Sequence, residues 1–369
     1  MQNKRISLLH YRLDNGGIDR VACFLADGFA QAGYEVDLVV FCDNGSGEDV
    51  LLPLLSNKVN LCYLGSSRGA RTKDLVRLFP ACVQWIGKHK PSCLISTCNH
   101  MNWITIAAAK FARSNPKTIL KTTNPIIRQQ DHGFYAAIRK FGYSLAIRNA
   151  ERTLALSEAE TQMLRRQFPS LQDRFVTVTN PYVTKAMLVK PSIDRASSNR
   201  KTIIAIGRFE AQKRFDLLIK AFASLNRFDT DLIILGDGSQ KYECEQLVAR
   251  LKLQGRISMP GFVNDVSEWL HKADMLVMTS RYEGLPAVVL EALAANCPVL
   301  TTDCFPAARE IIGPLEGCDI IESTIPNDIA KMMAHALARP KSDTLHLAAQ
   351  NYSIENGIYD HIAQIDALF

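Results

Sequence analysis

Short apolar runs alternate with amphipathic stretches along the whole chain. ISLLHY (6–11) is an apolar run that ends near the polar turn DNGG (14–17). IDRVACFLADGFAQAGY then places apolar residues at helical spacing up to Gly33, and YEVDLVVFC (34–42) is a second apolar run. Runs of this length bounded by turn residues predict strands, and a strand–turn–helix–strand order predicts a parallel α/β sheet. SCLISTC (92–98), TILKTT (118–123) and RTLALS (152–157) continue the series with helical segments between them, and RFVTVTNPYV (174–183) closes it.

Periodicity lapses in TKAMLVKPSIDRASSNRKT, which predicts a linker near 184–200. The alternation then restarts. KTIIAIG (201–207) and TDLIILG (230–236) read as strands that end in glycine, with the helix FDLLIKAFASL between them, and RISMPG, DMLVMTS and CPVLTTD supply three more strands. Two βα arrays in series predict two Rossmann-like, doubly wound domains, 1–184 and 200–349, facing an interdomain cleft. The last segment, about 350–369, reads as a helix packing back on the first domain.

Composition adds two points. Of the 369 residues, 47% are hydrophobic and 22% charged, a soluble globular balance with chain enough for two cores. No stretch approaches the ~20 apolar residues that span a bilayer, and the apolar part of the first residues is too short for a signal peptide. Ten cysteines are scattered without a C-x-x-C pair or zinc-like spacing, so we expect reduced thiols, a cytoplasmic location and no metal site. The second point is charge. Residues 1–198 hold 26 Lys and Arg against 15 Asp and Glu, a balance of +11, whereas residues 199–369 hold 17 against 22, a balance of −5. A basic first half suggests an anionic partner; solvated cations without a partner are the plainer reading.

In open α/β sheets, ligands bind beyond the carboxyl ends of the strands. There the second half carries GRFEAQKRFD with Arg208 and Lys213, the turn GDGSQ with Gly236 and Gly238, GFVND with Phe262 and Val263, and TSRYEGLPAVVLEAL with Glu283 and Glu291. A guanidinium fork and an ammonium five residues apart suit a diphosphate, though each alone is more often a solvated loop cation. Pro286 fits the first turn of a helix whose free N–H groups would receive an anion. Glu291 lies in an apolar helix, where a carboxylate needs a partner from the protein or from a ligand. A ribose diol is the natural ligand partner, and Glu283 would hold a hydroxyl of a second sugar.

G-R-F-x-x-Q-K (207–213), the G-D-G turn, G-F (261–262) and E-G-L-P-x-x-x-L-E-A (283–292) together resemble the retaining glycosyltransferases of family four, whose fold is GT-B. D-N-G-G (14–17) and D-x-x-P-A-x-R-E (303–310) are similar to further parts of that family. The resemblance implies donor-diphosphate binding by Arg208 and Lys213, ribose binding by Glu291, and a hold on the donor sugar by Glu283. Gly284, Leu285 and Pro286 would touch sugar or phosphate, with the nucleobase near Phe262 and Val263. Gly207, Gly236 and Gly238 would line the donor site, and Gly16 and Gly17 would bring a loop of the first domain to the phosphate and acceptor. It implies metal-independent chemistry without a cofactor and transfer with retention, through an oxocarbenium-like transition state in which the leaving phosphate helps take the acceptor's proton. The donor would be a nucleotide-diphosphate sugar, a UDP-sugar being favoured. Arg214 departs from the family by adding a third cation.

CNHMNW (98–103) follows a strand, so His100 and Asn102 are candidates for contacts to donor or acceptor, against a structural loop role. GFYAAIRKFGYSLAIRNAERTL (133–154) mixes Phe134, Tyr135, Phe141 and Tyr143 with Arg139, Lys140 and Arg148, either a membrane-surface helix or an ordinary helix with a solvated basic side. With the basic balance of this half, the expected acceptor is a saccharide or lipid-linked saccharide of cell-envelope glycan, lipopolysaccharide or glycolipid synthesis. The expected location is then peripheral, at the cytoplasmic face of the inner membrane, with no nucleic-acid partner. A nucleotide-sugar epimerase and a catalytically inactive nucleotide-sugar-binding partner remain as alternatives. A dinucleotide oxidoreductase would want a G-x-G-x-x-G turn that DNGGIDR does not supply.

Overall fold

A computed structural model describes residues 4–14, 16–43, 50–126, 133–189 and 200–369. The chain divides into two compact units, residues 1–182 with 354–369, and residues 183–353. Residues 190–199, most of the expected linker, lie outside the described residues, as does Asn15 of the DNGG turn; within that linker Lys185–Leu188 form one helical turn.

In the first unit the order is β1 (Arg5–His10), α1 (Gly17–Gln31), β2 (Glu35–Asp43), β3 (Val59–Ser66), α2 (Arg71–His89), β4 (Cys93–Ser96), α3 (Asn99–Phe111), β5 (Lys117–Lys121), α4 (Phe134–Arg148), β6 (Arg152–Ala155), α5 (Glu158–Gln167) and β7 (Phe175–Thr177). All described pairings are parallel, in the order β3-β2-β1-β4-β5-β6-β7. Strands β1, β2 and β4 are buried on both faces because helices cover the sheet on each side, which is why they read as continuous apolar runs. Their side chains pack with Leu75, Cys82, Ile86 and Met101 from α2 and α3.

The second unit begins with α6 (Lys185–Leu188) and continues β8 (Lys201–Ile206), α7 (Phe215–Ser224), β9 (Thr230–Leu235), α8 (Lys241–Arg250), β10 (Ile257–Gly261), α9 (Ser267–Lys272), β11 (Met275–Met278), α10 (Ala287–Ala294), β12 (Val299–Thr302), α11 (Ala308–Ile312), β13 (Asp319–Ile321), α12 (Pro326–Ala338) and α13 (Leu345–Gln350). Its parallel order is β10-β9-β8-β11-β12-β13. Phe215, Leu218 and Phe222 of α7 and Ile329 and Met333 of α12 fill the core on one face.

The last helix, α14 (Ile354–Asp366), belongs to the first unit and lies against α1. The contact is close: a Cβ on Gly28 would sit 2.2 Å from Ile358, and one on Gly357 2.4 Å from the backbone of Pro181. Beneath α14 is an internal polar pair. The buried Lys121 donates to His361 Nε2 at 3.0 Å, and His361 Nδ1 donates to the Gly357 carbonyl at 2.7 Å. Burial pushes Lys121 down to about 7 and holds His361 well below its ordinary range.

Candidate active site

Each sheet reverses its strand order once, between β1 and β4 in the first unit and between β8 and β11 in the second. The loops leaving such a pair of strands diverge to opposite faces and open a crevice at the carboxyl edge. At the second reversal the structure brings together the loops that carry Arg208, Lys213 and Glu283, and hydrogen bonds to backbone carbonyls fix these loops to one another. Arg281 N donates to the Gln212 carbonyl at 2.8 Å, Gln212 Nε2 donates to the Tyr282 carbonyl at 2.7 Å, and Thr279 Oγ1 donates to the Arg214 carbonyl at 3.0 Å. The loop after β12 joins through Glu283 N to the Cys304 carbonyl at 2.6 Å and Thr302 Oγ1 to the Ser280 carbonyl at 2.7 Å.

Within this frame Lys213 Nζ lies 2.8 Å from Glu283 Oε1, both side chains largely out of solvent. Glu283 Oε1 has no hydrogen-bond partner among the described residues, so the contact with Lys213 is an ion pair. Lysine reaches the glutamate by running over Gly207, where a Cβ would stand 2.8 Å from Lys213 Cε. Gly236 and Gly238 have the same kind of reason. With φ of +134° and +151°, their hypothetical Cβ atoms would fall 1.9 Å from the Gly207 carbonyl oxygen and 2.7 Å from that of Phe209. Packing of the β8 and β9 loops alone requires glycine at 236 and 238.

Arg208, by contrast, is exposed, and its guanidinium has no partner among the described residues. The Arg214 Nε and Ser280 Oγ atoms are buried without a hydrogen-bond partner among the described residues. Ser280 carried no motif signal; only its place at the end of β11 could have marked it. Glu291 is 6% exposed on α10, whose other residues, Ala287–Leu290 and Ala292–Ala294, are all apolar. Gly284, Leu285 and Pro286 are buried beside Glu283. Pro286 stands one residue earlier than expected, as the extended N-cap of α10 rather than inside its first turn. Phe262 is 54% exposed after β10, with Val263 half-buried beside it.

At the first reversal, Gly16 and Gly17 are exposed at the start of α1. Asp19 holds that loop: Oδ2 accepts from Gly16 N at 2.8 Å and Asp14 N at 3.0 Å, while Oδ1 lies 3.0 Å from His10 Nε2. His10 Nδ1 reaches Thr97 Oγ1 of the β4 end at 2.7 Å. These anchors were not expected from the motifs. The signal was a lone acidic residue in the first helical turn, a common capping choice. His100 sits at the start of α3 with Arg71 Nη1 3.5 Å from Nδ1 and Cys98 Sγ 3.3 Å from Nε2. Arginine only donates, so Nδ1 accepts and the ring proton lies toward Cys98. Burial, then the charge of Arg71, pushes His100 down to about 4, and it is a neutral imidazole at physiological pH.

The expectation for Asn102 is corrected. It is 1% exposed, and its amide bridges strands β4 and β5, with Oδ1 accepting from Ser96 Oγ and Nδ2 donating to the Lys121 carbonyl at 3.2 Å. Two residues past His100 on a helix is more than half a turn, which aims it into the sheet rather than toward an acceptor. Arg139 is half-buried and Lys140 exposed on α4, with Lys140 Nζ 5.9 Å from the centre of the Phe168 ring. The side chains of Phe134 and Tyr135 lie outside those described.

Two family profiles divide the chain between them. Residues 190–353 match the profile described as Glycosyl transferases group 1, and residues 15–185 match Glycosyltransferase Family 4. The chain belongs to the family-four glycosyltransferases. Among its family relatives is the N-acetylgalactosamine-N,N'-diacetylbacillosaminyl-diphospho-undecaprenol 4-alpha-N-acetylgalactosaminyltransferase of Campylobacter jejuni, 26% identical over 355 residues that cover 94% of this chain and 93% of the relative. The lipopolysaccharide 1,6-galactosyltransferase of Escherichia coli is 24% identical over 310 residues, 81% of this chain and 79% of that one. In fold, a sucrose-phosphate synthase from Thermosynechococcus elongatus superposes with a TM-score of 0.81 at 19% identity, over 99% of this chain and 98% of its own. The Anabaena protein HepE, solved with UDP and glucose, gives 0.80 at 17% identity, over 99% and 100%. The glycosyltransferase fold is GT-B.

Proposed function

We propose that this glycosyltransferase is a retaining, metal-independent enzyme that moves a sugar from a UDP-sugar to a lipid-linked saccharide in lipopolysaccharide or related envelope-glycan synthesis. One observation carries the donor half of this reading: Lys213 pairs with Glu283 at the reversal point of the second sheet, on loops fixed to each other by hydrogen bonds, with the exposed Arg208 on the loop that carries Lys213. A diphosphate arriving there is met by an unpartnered guanidinium and by an ammonium that already sits beside a carboxylate. Lys213 turns its charge toward the phosphate oxygens and releases Glu283 to accept a hydrogen bond from a sugar hydroxyl. As the glycosidic bond stretches, negative charge grows on the departing phosphate, where the two cations stabilise it most. Glu291 takes the ribose hydroxyls and Phe262 stacks on the base. The two cations supply the charge that a divalent ion would otherwise bring, so no cofactor is needed.

On the acceptor side we assign Gly16 and Gly17 to phosphate and acceptor contact, with His100 as a neutral polar neighbour. Exposed Ile138, Phe141 and Leu145 form an apolar row on α4 beside Lys140 and Arg148. That row supports contact with an anionic membrane, each nearby cation adding about 1 kcal/mol. Among the described residues no helix is long and apolar enough to cross a membrane, and a peripheral position at the cytoplasmic face of the inner membrane fits the proposed acceptor. The relative from Campylobacter jejuni, named for a diphospho-undecaprenol acceptor, and HepE, solved with UDP, support the choice of acceptor and donor. The test is a transfer assay with UDP-sugars and polyprenyl-diphosphate saccharides, followed by NMR of the product's anomeric carbon. An α-linked product from an α-linked UDP-sugar supports the reading; an inverted linkage, or turnover only with added divalent metal, overturns it.

A further inference from the structure

The reversal point of the first sheet carries a second cluster of cations, and it lies outside the donor motifs. Tyr11 follows β1, is buried, and offers its ring to two guanidinium groups: Arg71 at 5.5 Å and Arg12 at 5.7 Å from the centre. Arg71 opens α2 and also lies 3.5 Å from His100 Nδ1 after β4. Arg68 stands three residues earlier on the turn after β3, exposed, with its backbone N–H held by the buried Asp74 at 3.1 Å. Asp74 also accepts from Ser67 Oγ at 2.8 Å and Tyr11 Oη at 3.4 Å, so one carboxylate ties the turn to the ring.

Three of the carboxylates nearby are already committed; Asp43, opposite Ser66 at the end of β2, keeps one buried oxygen without a partner among the described residues. Asp74 pairs with Arg77 at 2.9 Å, Asp14 with Arg12 at 2.5 Å, and Asp19 with His10. Arg68 and Arg71 have no carboxylate partner among the described residues. Arg71 is nonetheless held, by an aromatic face on one side and an imidazole lone pair on the other. A guanidinium fixed in this way, with no internal anion, presents its remaining N–H donors in the fork geometry that phosphate oxygens accept.

We infer that Arg71, with Arg68 and Arg12 beside it around Tyr11, forms an anion subsite for a phosphate or diphosphate carried by the acceptor. The inference rests on the acceptor half of the function proposed above and deepens it. Transfer to a saccharide then requires more than the accepting hydroxyl: the enzyme also reads the phosphate that marks the saccharide as activated or lipid-linked. Arg12, already paired with Asp14, contributes less than the other two.

Calorimetric titration of the full chain with inorganic diphosphate tests the subsite without turnover. In an Arg208→Gln/Lys213→Met background, which removes the two cations assigned to the donor diphosphate, saturable binding should persist, and adding Arg71→Gln should weaken it by about tenfold or more. His100 resonances should move during the titration, while those of His335 on α12 stay still. Binding that vanishes in the starting background, binding indifferent to Arg71→Gln, or a silent His100 overturns the subsite. Kinetics then ask whether acceptors use it. In the otherwise wild-type enzyme, Arg71→Gln should raise KM for a diphosphate-linked saccharide by about tenfold, with kcat within about threefold. It should leave KM for the same saccharide without phosphate unchanged, and Arg71→Lys should recover part of the loss. A water-soluble sugar diphosphate and a polyprenyl-linked one separate a free phosphate from a lipid-anchored one. A rise with either supports the inference; a rise with neither, or an equal rise for the unphosphorylated saccharide, overturns it. Absence of transfer to every acceptor in the wild type removes the functional reading, while the titration still reports on the subsite.

Discussion

At the β8/β11 reversal, the cation Lys213 is largely buried and already matched by Glu283. At the β1/β4 reversal, Arg68 and Arg71 are exposed and no carboxylate among the described residues matches them. The difference follows from solvent. A buried ammonium without a counter-ion is strongly disfavoured, so a cation kept inside a fold brings its own carboxylate and exchanges it for the ligand's charge. An exposed guanidinium is hydrated and needs no such partner. The second unit therefore holds a preformed site whose buried cation is neutralised internally and whose loops are fixed by hydrogen bonds to backbone carbonyls, suited to one constant group. The first unit displays charge on loops, where substitutions are tolerated and partners can differ.

The largest effects that test this contrast are on turnover. Arg208→Ala and Lys213→Ala should each lower kcat by roughly 10²–10³-fold, the usual loss when a donor aimed at developing charge is removed. Steady-state kinetics at saturating donor reads this directly, and near-normal kcat in both variants breaks the assignment. The next effect is on stability. Lys213→Met strands Glu283, and the second unit should lose on the order of 2–3 kcal/mol, somewhat below the penalty for a fully buried pair. Adding Glu283→Gln should return much of it in denaturant melts; additive losses would mean the two side chains do not interact. Gly238→Ala should destabilise by about 1–3 kcal/mol, because the new methyl meets the Phe209 backbone rather than a side chain that can yield.

A smaller effect belongs to Lys121. Its folded value near 7 lies below its ordinary 10.5, so the unfolded chain binds the extra proton between those limits. The charge penalty on folding is complete below about pH 7 and is relieved as pH rises toward 10.5. Stability of the first unit should rise across that window in the wild type, and Lys121→Met should flatten the rise. An unchanged slope would show that Lys121 keeps its proton at ordinary values. Smallest of all, Arg68→Gln should shift stability by no more than about 0.5 kcal/mol, since nothing internal depends on its charge.

Much of this was legible before any coordinates. Strands such as KTIIAI and EVDLVVFCD announce themselves because both faces are buried and the apolar run is unbroken. Two strands did not. VNLCYLGS lies at the sheet edge with mostly half-buried residues, and Asp319–Ile321 is three residues long; both exist because a neighbouring strand pairs with them. The motif residues of the second unit were legible because they lie on a few strand-end loops with fixed spacing. Their coupling was not. Lys213 and Glu283 are far apart in sequence, and only the reversal of strand order makes their loops neighbours. The same holds for Arg71, Tyr11 and His100, three residues from three strand ends. Asn102 misled because its strand-end address was right but its helical phase aimed it inward.

The measurement closest to the central claim is calorimetric binding of UDP and of a UDP-sugar to the full chain and to its Lys213→Met, Arg208→Ala and Glu283→Gln variants. The account predicts that UDP binds the wild type, that loss of either cation weakens it by about tenfold or more, and that Glu283→Gln spares UDP while abolishing the added affinity of the sugar. Nucleotide affinity that ignores both cations, or no nucleotide binding by the folded protein, would contradict it.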